Sequence, residues 1–204
     1  LIAGSLIKNP GGGIVKTGGY IAGRKELVEQ CAHRFSAPGV GAEIGATLYS
    51  LLEMYQGLFL APIIVSQALK GAVFASAILE RCSYEAFPKW NEKRGDLVQS
   101  VQFANADEMI AFCQAIQSAS PINSHVTPYP SEMPGYDDEV IMAAGSFIQG
   151  SSIELSADGP IRPPYAAYIQ GGLTYSHVKI AILHALDVLA QKGYVTFEEE
   201  KAKY

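Results

Sequence analysis

A serine and a lysine three residues apart, Ser5 and Lys8, have types and spacing suited to covalent chemistry. They lie at the end of an apolar stretch, residues 1–7, and just before the glycine-rich segment Asn9-Pro-Gly-Gly-Gly13. A lysine buried at the end of a strand would have its charged form disfavoured, which would lower its pKa from about 10.4 and free the amine to attack an aldehyde. A lysine that forms a Schiff base needs this property.

The same spacing leaves a second chemistry open. In some serine hydrolases the serine attacks and a lysine three residues away acts as the base. Two nucleotide-binding patterns fail. Residues 11–17 would form a P-loop only with a glycine before Lys16, where the sequence has Val15, and residues 39–45 place the last glycine one position too late for a dinucleotide fingerprint.

Arg162 is the second candidate site residue. It lies between Pro160 and Pro163, and a stiff backbone there would hold a guanidinium that can pair with a carboxylate through two hydrogen bonds. We therefore consider it a candidate for binding a substrate carboxylate, with a structural salt bridge as the alternative. No metal site is predicted, because the histidines do not share a ligand spacing and the cysteines form no CxxC pair.

Composition excludes several classes of partner. The 204 residues are 49% hydrophobic and 17% charged, which is typical of a globular protein, and a net charge of -5 without a basic run argues against nucleic acid or acidic lipid as a partner. Three widely spaced cysteines argue against a disulfide framework and favour a reducing cytoplasm. The apolar segment from Met54 to Leu69 is shorter than the roughly 20 residues of a membrane helix. It predicts a buried helix, or two helices that meet near Gly57 and Pro62.

Hydrophobic periodicity predicts the elements that would position these residues. We expect strands over residues 1–7, 97–103, 140–147, 152–156 and 166–170, an extended segment over 14–23, helices over 24–35, 46–87, 107–118 and 174–192, and a loop over 121–138. The last helix should bury the apolar positions that recur at helical spacing, namely Val178, Ala181, Ile182, Ala185, Leu186 and Leu189. The polar segment from Pro88 to Asp96 marks a boundary between domains 1–87 and 88–204.

Several runs of sequence resemble the methionine gamma-lyase-like family, whose members are also described as cystathionine beta-lyase-like proteins involved in aluminium resistance. The runs are Gly4-Ser-Leu-Ile-Lys-Asn-Pro-Gly-Gly-Gly13, Thr17-Gly-Gly-Tyr-Ile-Ala-Gly23, Ser36-Ala-Pro-Gly-Val-Gly41, Tyr55-Gln-Gly-Leu-Phe-Leu-Ala-Pro62, Pro134-Gly-Tyr136, Val140-Ile-Met-Ala-Ala-Gly145, Glu154-Leu-Ser-Ala-Asp-Gly-Pro-Ile-Arg-Pro-Pro-Tyr165 and Gln170-Gly-Gly-Leu-Thr174. They span nearly the whole chain.

The resemblance implies an α/β fold, the C-terminal half of a fold-type I enzyme dependent on pyridoxal 5'-phosphate. Residues 1–87 would be the end of the cofactor-binding large domain and a linking helix, and residues 88–204 a small α+β domain. Lys8 matches the family's cofactor lysine, and Ser5 matches a serine that such enzymes often place on the cofactor phosphate. Arg162 lies in the domain that commonly supplies the arginine for the substrate carboxylate.

The activity that the resemblance implies is a lyase that eliminates a β or γ substituent from a small sulfur-containing amino acid. Ring-stacking residues, the acid that pairs with the pyridine nitrogen and most phosphate ligands would come from an N-terminal half of the same protein, so this chain alone should not catalyse. We expect a homodimer or homotetramer in the cytoplasm. The alternative is a non-catalytic fragment or paralogue that acts as a structural or assembly partner.

Overall fold

The computed structural model of the chain describes residues 1–43, 49–144 and 153–196. Over these ranges the chain is mixed α/β, as the sequence predicts. It divides into two compact units, of which the first comprises residues 1–65 and the second begins at Ser66. The boundary predicted after residue 87 lies inside the second unit. Because these units are defined by contacts within this chain, that boundary stays a prediction for the domains of the whole protein.

The first unit contains a hairpin and a helix. Strands β1 (Ile2–Ser5) and β2 (Gly19–Ala22) pair antiparallel, and both are shorter than the predicted extended segments. Helix α1 (Lys25–Phe35) follows. Its apolar residues at helical spacing, Leu27, Val28, Cys31 and Ala32, are half-buried, and the other residues of α1 are exposed. The helix predicted over residues 24–35 is therefore confirmed, and it is amphipathic.

Helix α2 (Ser50–Arg81) is one continuous helix that includes Pro62. The predicted end at residue 87 is wrong, because the chain turns at Ser83, which has a positive φ of 66°, and then enters a strand. The expected burial of the apolar segment is also wrong within the described residues, since Phe59 is 82% exposed and Ile63 is 62% exposed. By length and composition α2 could cross a membrane, which is weak evidence because a core helix of a soluble protein passes the same test.

The second unit is built on a five-stranded antiparallel sheet in the order β3-β4-β7-β6-β5. Its strands are β3 (Glu85–Phe87), β4 (Gln99–Gln102), β5 (Val140–Ala144), β6 (Ser156–Pro160) and β7 (Ala166–Gln170). The strands predicted over 97–103, 140–147 and 166–170 are confirmed by β4, β5 and β7, except that residues 145–147 lie outside the described ranges.

Two parts of this sheet differ from the prediction. The strand predicted over 152–156, of which residue 152 lies outside the described ranges, begins only at Ser156 and runs to Pro160, and β3 was not predicted. Ser-Ala-Asp-Gly-Pro contains few residues that favour strands. It is extended because both neighbours pair with it, so that Ala157 lies between Ala143 and Ile169. Strand pairing of this kind depends on tertiary structure that a local pattern does not contain.

Helices α3 (Ala106–Ser118) and α4 (Tyr175–Gln191) pack on each other, and α3 also contacts strands β5, β6 and β7. Side-chain caps start both helices. Asn105 accepts a hydrogen bond from the backbone of Glu108, and Thr174 accepts one from His177. All six apolar positions predicted to be buried in the last helix are at most 2% exposed, which confirms that prediction: Val178, Ala181, Ile182, Ala185, Leu186 and Leu189.

Candidate functional site

The lysine turn follows strand β1 in the first unit. Ser5 ends the strand opposite Gly19, and the backbone N–H of Leu6 donates to the carbonyl of Gly18 at 3.0 Å. Lys8 is extended, with φ of -98°, and stands directly before a single 3-10 turn over Asn9–Gly11. Its carbonyl accepts the N–H of Gly11 at 2.9 Å. The chain therefore places Ser5 and Lys8 together, at the end of one strand and in the turn that follows it.

Lys8 is exposed in the described part of the chain. The residue beside it that enters the core is Leu6, which is 6% exposed, and burial of Lys8 in the whole protein stays a prediction. The turn thus leaves the lysine side chain at the surface of the described residues.

Glycines fix the path of the lysine turn. Gly12 has a φ of 64°, in the left-handed region that favours glycine, and its N–H donates to the carbonyl of Asn9 at 3.0 Å. A Cβ on Gly11 would lie 1.6 Å from the carbonyl oxygen of Leu6. No side chain fits there, so the turn itself requires glycine at this position.

Asn9 is a site residue that the sequence did not single out. It is only 7% exposed, and its Nδ2 is buried with no hydrogen-bond partner among the described residues. An unsatisfied buried donor costs on the order of 1–3 kcal/mol. The Asn-Pro pair indicates a turn from sequence alone, and nothing in it indicates that the amide would be buried.

Arg162 lies in the second unit, in the connection between β6 and β7. Its N–H donates to the carbonyl of Pro160 at 2.9 Å, and its carbonyl accepts the N–H of Tyr165 at 2.7 Å. The guanidinium Nη1 lies 3.4 Å from Oδ2 of Asp138, with the arginine side chain 62% exposed. The structure thus contains the salt bridge considered as the alternative, while binding of a substrate carboxylate stays a prediction.

Within the second unit, a polar cluster connects the segment at residues 88–96 to helix α2 and strand β4. Arg94 donates through Nη2 to the side-chain oxygen of Gln99 and to the carbonyl of Pro88. Ser76 on α2 donates to the same carbonyl at 2.9 Å. Burial lowers the pKa of Arg94, although nearby acidic groups, Asp96 first among them, oppose that shift. The segment that the sequence marks as a domain boundary is thus hydrogen-bonded to α2 and β4. The boundary itself stays a prediction.

The histidines of α4 lie against the end of α3. The ring of His184 is 3.0 Å from Oγ of Ser118, through Nε2. His177 has a lowered pKa because it is half-buried, an effect that a hydrogen bond with the backbone of Ala119 partly opposes. Within the ranges 1–43, 49–144 and 153–196 no group of three or more histidine, cysteine or acidic residues could hold a metal ion.

A cavity of about 490 Å³ opens between the β1–β2 hairpin and α1. Its lining is mostly apolar and includes Gly4, Tyr20, Val28, Cys31 and Phe35. A free amino acid carries two charges that such a surface would leave unpaired. This cavity is therefore a poor binding site for an amino acid, and the lysine turn is the better candidate for chemistry.

The fold and the site define a mixed α/β protein that carries an exposed lysine in a glycine-rich turn at the end of a strand. The chain belongs to the methionine gamma-lyase family, whose sequence model matches residues 1–190. The resemblance found from the sequence runs is confirmed.

Relatives of known sequence or structure are close. The chain is 68% identical over 195 residues to YnbB of Bacillus subtilis (strain 168), a protein described as uncharacterized. The match covers 96% of this chain and 46% of that protein. It is similar to a Listeria monocytogenes structure provisionally named a cystathionine beta-lyase involved in aluminum resistance, with 62% identity, a TM-score of 0.87, and coverage of 91% of this chain and 46% of that one.

A third relative carries a more general name. The structure of a carbon-sulfur lyase involved in aluminum resistance from Clostridium novyi NT is 57% identical, with a TM-score of 0.84, and the match covers 91% of this chain and 43% of that one. The chain thus spans about half the length of these relatives. Their names support membership of a lyase family.

Proposed function

We propose that the whole protein is a carbon-sulfur lyase that uses pyridoxal 5'-phosphate and eliminates a β or γ substituent from a small sulfur-containing amino acid. The observation that carries this proposal is Lys8, exposed in a glycine-fixed turn at the end of β1, in a chain of the methionine gamma-lyase family. In this proposal the chain is the C-terminal half of a fold-type I enzyme, and an N-terminal half of the same protein supplies the remaining cofactor contacts.

The residues present suit part of a cofactor site. Lys8 would hold the cofactor covalently through Nζ, and the Ser5 hydroxyl, at the end of the same strand, would donate to its phosphate. When bound, pyridoxal phosphate withdraws electrons from the amino-acid α carbon and so makes its proton removable. Released from its covalent role, the Lys8 amine is a base that can take this proton and return it elsewhere.

Arg162 would orient the substrate by binding its carboxylate with two hydrogen bonds. For this the guanidinium must exchange Asp138 for the substrate, which is an inexpensive exchange because an exposed ion pair contributes less than about 1 kcal/mol. We further propose a homodimer or homotetramer in the cytoplasm. A non-catalytic assembly partner is the second candidate, which the half-length match to the lyase relatives keeps in consideration.

The test uses the full-length protein. After incubation with pyridoxal phosphate we expect an absorbance band at about 420 nm, where a lysine-linked cofactor absorbs. Reduction with borohydride followed by peptide mass spectrometry should locate the cofactor on Lys8, and Lys8→Ala should lose both signals. The control is Lys16→Ala, since Lys16 is an exposed lysine of the same unit that pairs with Glu53. A wild-type protein without the band, or a label that survives Lys8→Ala, would refute the proposal and favour the assembly partner.

A further inference from the structure

Gly57 on helix α2 is in close contact with the lysine turn. A Cβ built on Gly57 would lie 2.2 Å from the carbonyl oxygen of Gly11 and 2.7 Å from a methyl carbon of Val15. The contact is reciprocal, because a Cβ on Gly12 would lie 2.5 Å from the carbonyl oxygen of Gly57. The distances of 2.2 and 2.5 Å to the two carbonyl oxygens are far shorter than van der Waals contact. The turn and the helix therefore approach this closely only because Gly12 and Gly57 carry no side chains.

The two carbonyl oxygens in this contact, of Gly11 and Gly57, belong to the backbone and cannot rotate away as a flexible side chain would. Gly11 is also confined on its other side, by the carbonyl of Leu6. Because the N–H of Gly11 donates to the carbonyl of Lys8 at 2.9 Å, a shift of Gly11 is transmitted to Lys8 through one hydrogen bond and three peptide units. The distance between the Gly11–Gly12 turn and helix α2 therefore sets the position of Lys8.

Helix formation alone does not explain a glycine at this position. Glycine in a helix interior is less favourable than alanine, because it loses more backbone freedom on folding. Gly57 lies well inside α2, seven residues after its start. The local preference for alanine is overridden at this position, which indicates that close packing against the turn is the reason for glycine there.

We propose that Gly57 is a positioning residue for Lys8, which acts by letting the Gly11–Gly12 turn lie directly on helix α2. This inference rests on the function proposed above, since it concerns the amine that would carry the cofactor and move the proton. Gly57 itself touches neither. A methyl group there displaces the turn, and the lysine amine moves with it away from the substrate proton, whereas the substrate-binding groups stay in place.

The test compares Gly57→Ala with Gly71→Ala in the full-length holoenzyme. Gly71 lies on the same helix, and its Cβ would lie 2.8 Å from the side chain of Val178 in the second unit, so this control introduces a similar crowding away from the lysine turn. We expect Gly57→Ala to lower kcat by roughly 10-fold to 100-fold, the cost of small misplacement of a catalytic group, with KM changed less than about threefold.

A readout that does not depend on turnover accompanies the rates. Spectral titration of the lysine-linked cofactor without substrate should give a different apparent pKa in Gly57→Ala, and the dissociation constant for pyridoxal phosphate should rise. Gly71→Ala should leave both at their wild-type values while lowering the melting temperature. Equal behaviour of the two variants, or wild-type spectra and rates in Gly57→Ala, would overturn the positioning role.

A second pair of variants approaches the same contact from the turn and serves if Gly57→Ala does not fold. Gly12→Ala and Gly39→Ala both place alanine at a positive φ, 64° and 79°. Only the Cβ on Gly12 would meet Gly57, whereas no atom of the described residues lies within 4 Å of one on Gly39. We expect the spectral shift in Gly12→Ala alone, and its absence would contradict the proposal. If wild-type protein takes no cofactor on Lys8, the proposed function fails first, and this is evident before any variant is made.

Discussion

Arg162 shows how one side chain can satisfy two interpretations. Its ion pair with Asp138, 3.4 Å long, is the structural role expected for most exposed arginines. The same guanidinium is on a backbone held by hydrogen bonds to Pro160 and from Tyr165, which is the rigidity that a substrate anchor needs. The two roles predict different consequences for stability and for substrate affinity, so mutation separates them.

We expect Arg162→Ala to change the free energy of unfolding by less than about 1 kcal/mol, because an exposed ion pair contributes little. In the full-length enzyme the same change should raise KM by roughly 10-fold to 100-fold, since a charge-assisted pair with a carboxylate contributes about 1.5–3 kcal/mol. Steady-state kinetics and urea unfolding measure the two effects. The control is Asp138→Asn, which breaks the ion pair but leaves the guanidinium available. If it raised KM as much as Arg162→Ala, the arginine would be structural only.

His177 links stability to pH. Its pKa is lowered from 6.5 by burial, so the unfolded chain binds the proton more readily than the folded one does. Stability is therefore fully present above pH 6.5 and falls as the pH drops below that value, by at most about 1.4 kcal/mol per pH unit for one proton. Urea unfolding at several pH values should show a weaker slope in His177→Asn. A slope that survived His177→Asn unchanged would contradict the assignment.

At the scale of elements, the start of helix α3 depends on a residue from a different segment. Glu108, in the first turn, is 4% exposed and accepts the backbone N–H of Ala104 at 2.9 Å, while its own N–H donates to the side chain of the N-cap residue Asn105. Tyr84, at the end of the turn after α2, donates its hydroxyl to the other oxygen of Glu108 at 2.6 Å. One buried carboxylate thus joins α3 to the segment that leads into β3.

Tyr84→Phe removes only this hydroxyl. We expect a loss of about 1–3 kcal/mol in the free energy of unfolding, because one carboxylate oxygen of Glu108 is left buried without a donor. Tyr168→Phe is the matched control, since Tyr168 lies on β7 with 44% of its surface exposed, and it should cost less than about 0.5 kcal/mol. Chemical denaturation of the three proteins measures the difference. Equal stability of Tyr84→Phe and the control would show that Glu108 does not need this bond.

The same elements show which parts of the structure a sequence can predict. Helix α4 is predictable residue by residue, because its apolar spacing and its cap at Thr174 are local features. Strand β6 and the half-buried position of Arg94 are not predictable in this way. Strand β6 depends on pairing with β5 and β7, and Arg94 depends on hydrogen bonds to Gln99 and Pro88. Lys8 is predictable as a strand-end lysine, whereas the close contact of its turn with Gly57 is not, because α2 is distant in sequence.

At the scale of the whole molecule, one face of α2 is apolar and yet exposed. Along its first half a stripe of large apolar residues is exposed at helical spacing: Leu51, Leu52, Tyr55, Leu58, Phe59 and Ile63. Contiguous apolar patches of this kind mark surfaces that another element covers. Because the chain spans about half the length of its relatives, we predict that this stripe is covered in the full-length protein by chain outside these 204 residues.

Two isoleucines of nearly equal exposure test this prediction. Ile63 on α2 is 62% exposed and belongs to the stripe, whereas Ile180 on α4 is 63% exposed and lies outside it. In the full-length protein we expect Ile63→Ser to lower the free energy of unfolding by about 2–4 kcal/mol, the cost of losing a buried aliphatic side chain and burying a hydroxyl. Ile180→Ser should change it by less than about 0.5 kcal/mol, as surface substitutions usually do. Thermal and urea unfolding measure both changes, and a small effect of Ile63→Ser would mean that the stripe is not covered by the rest of the protein.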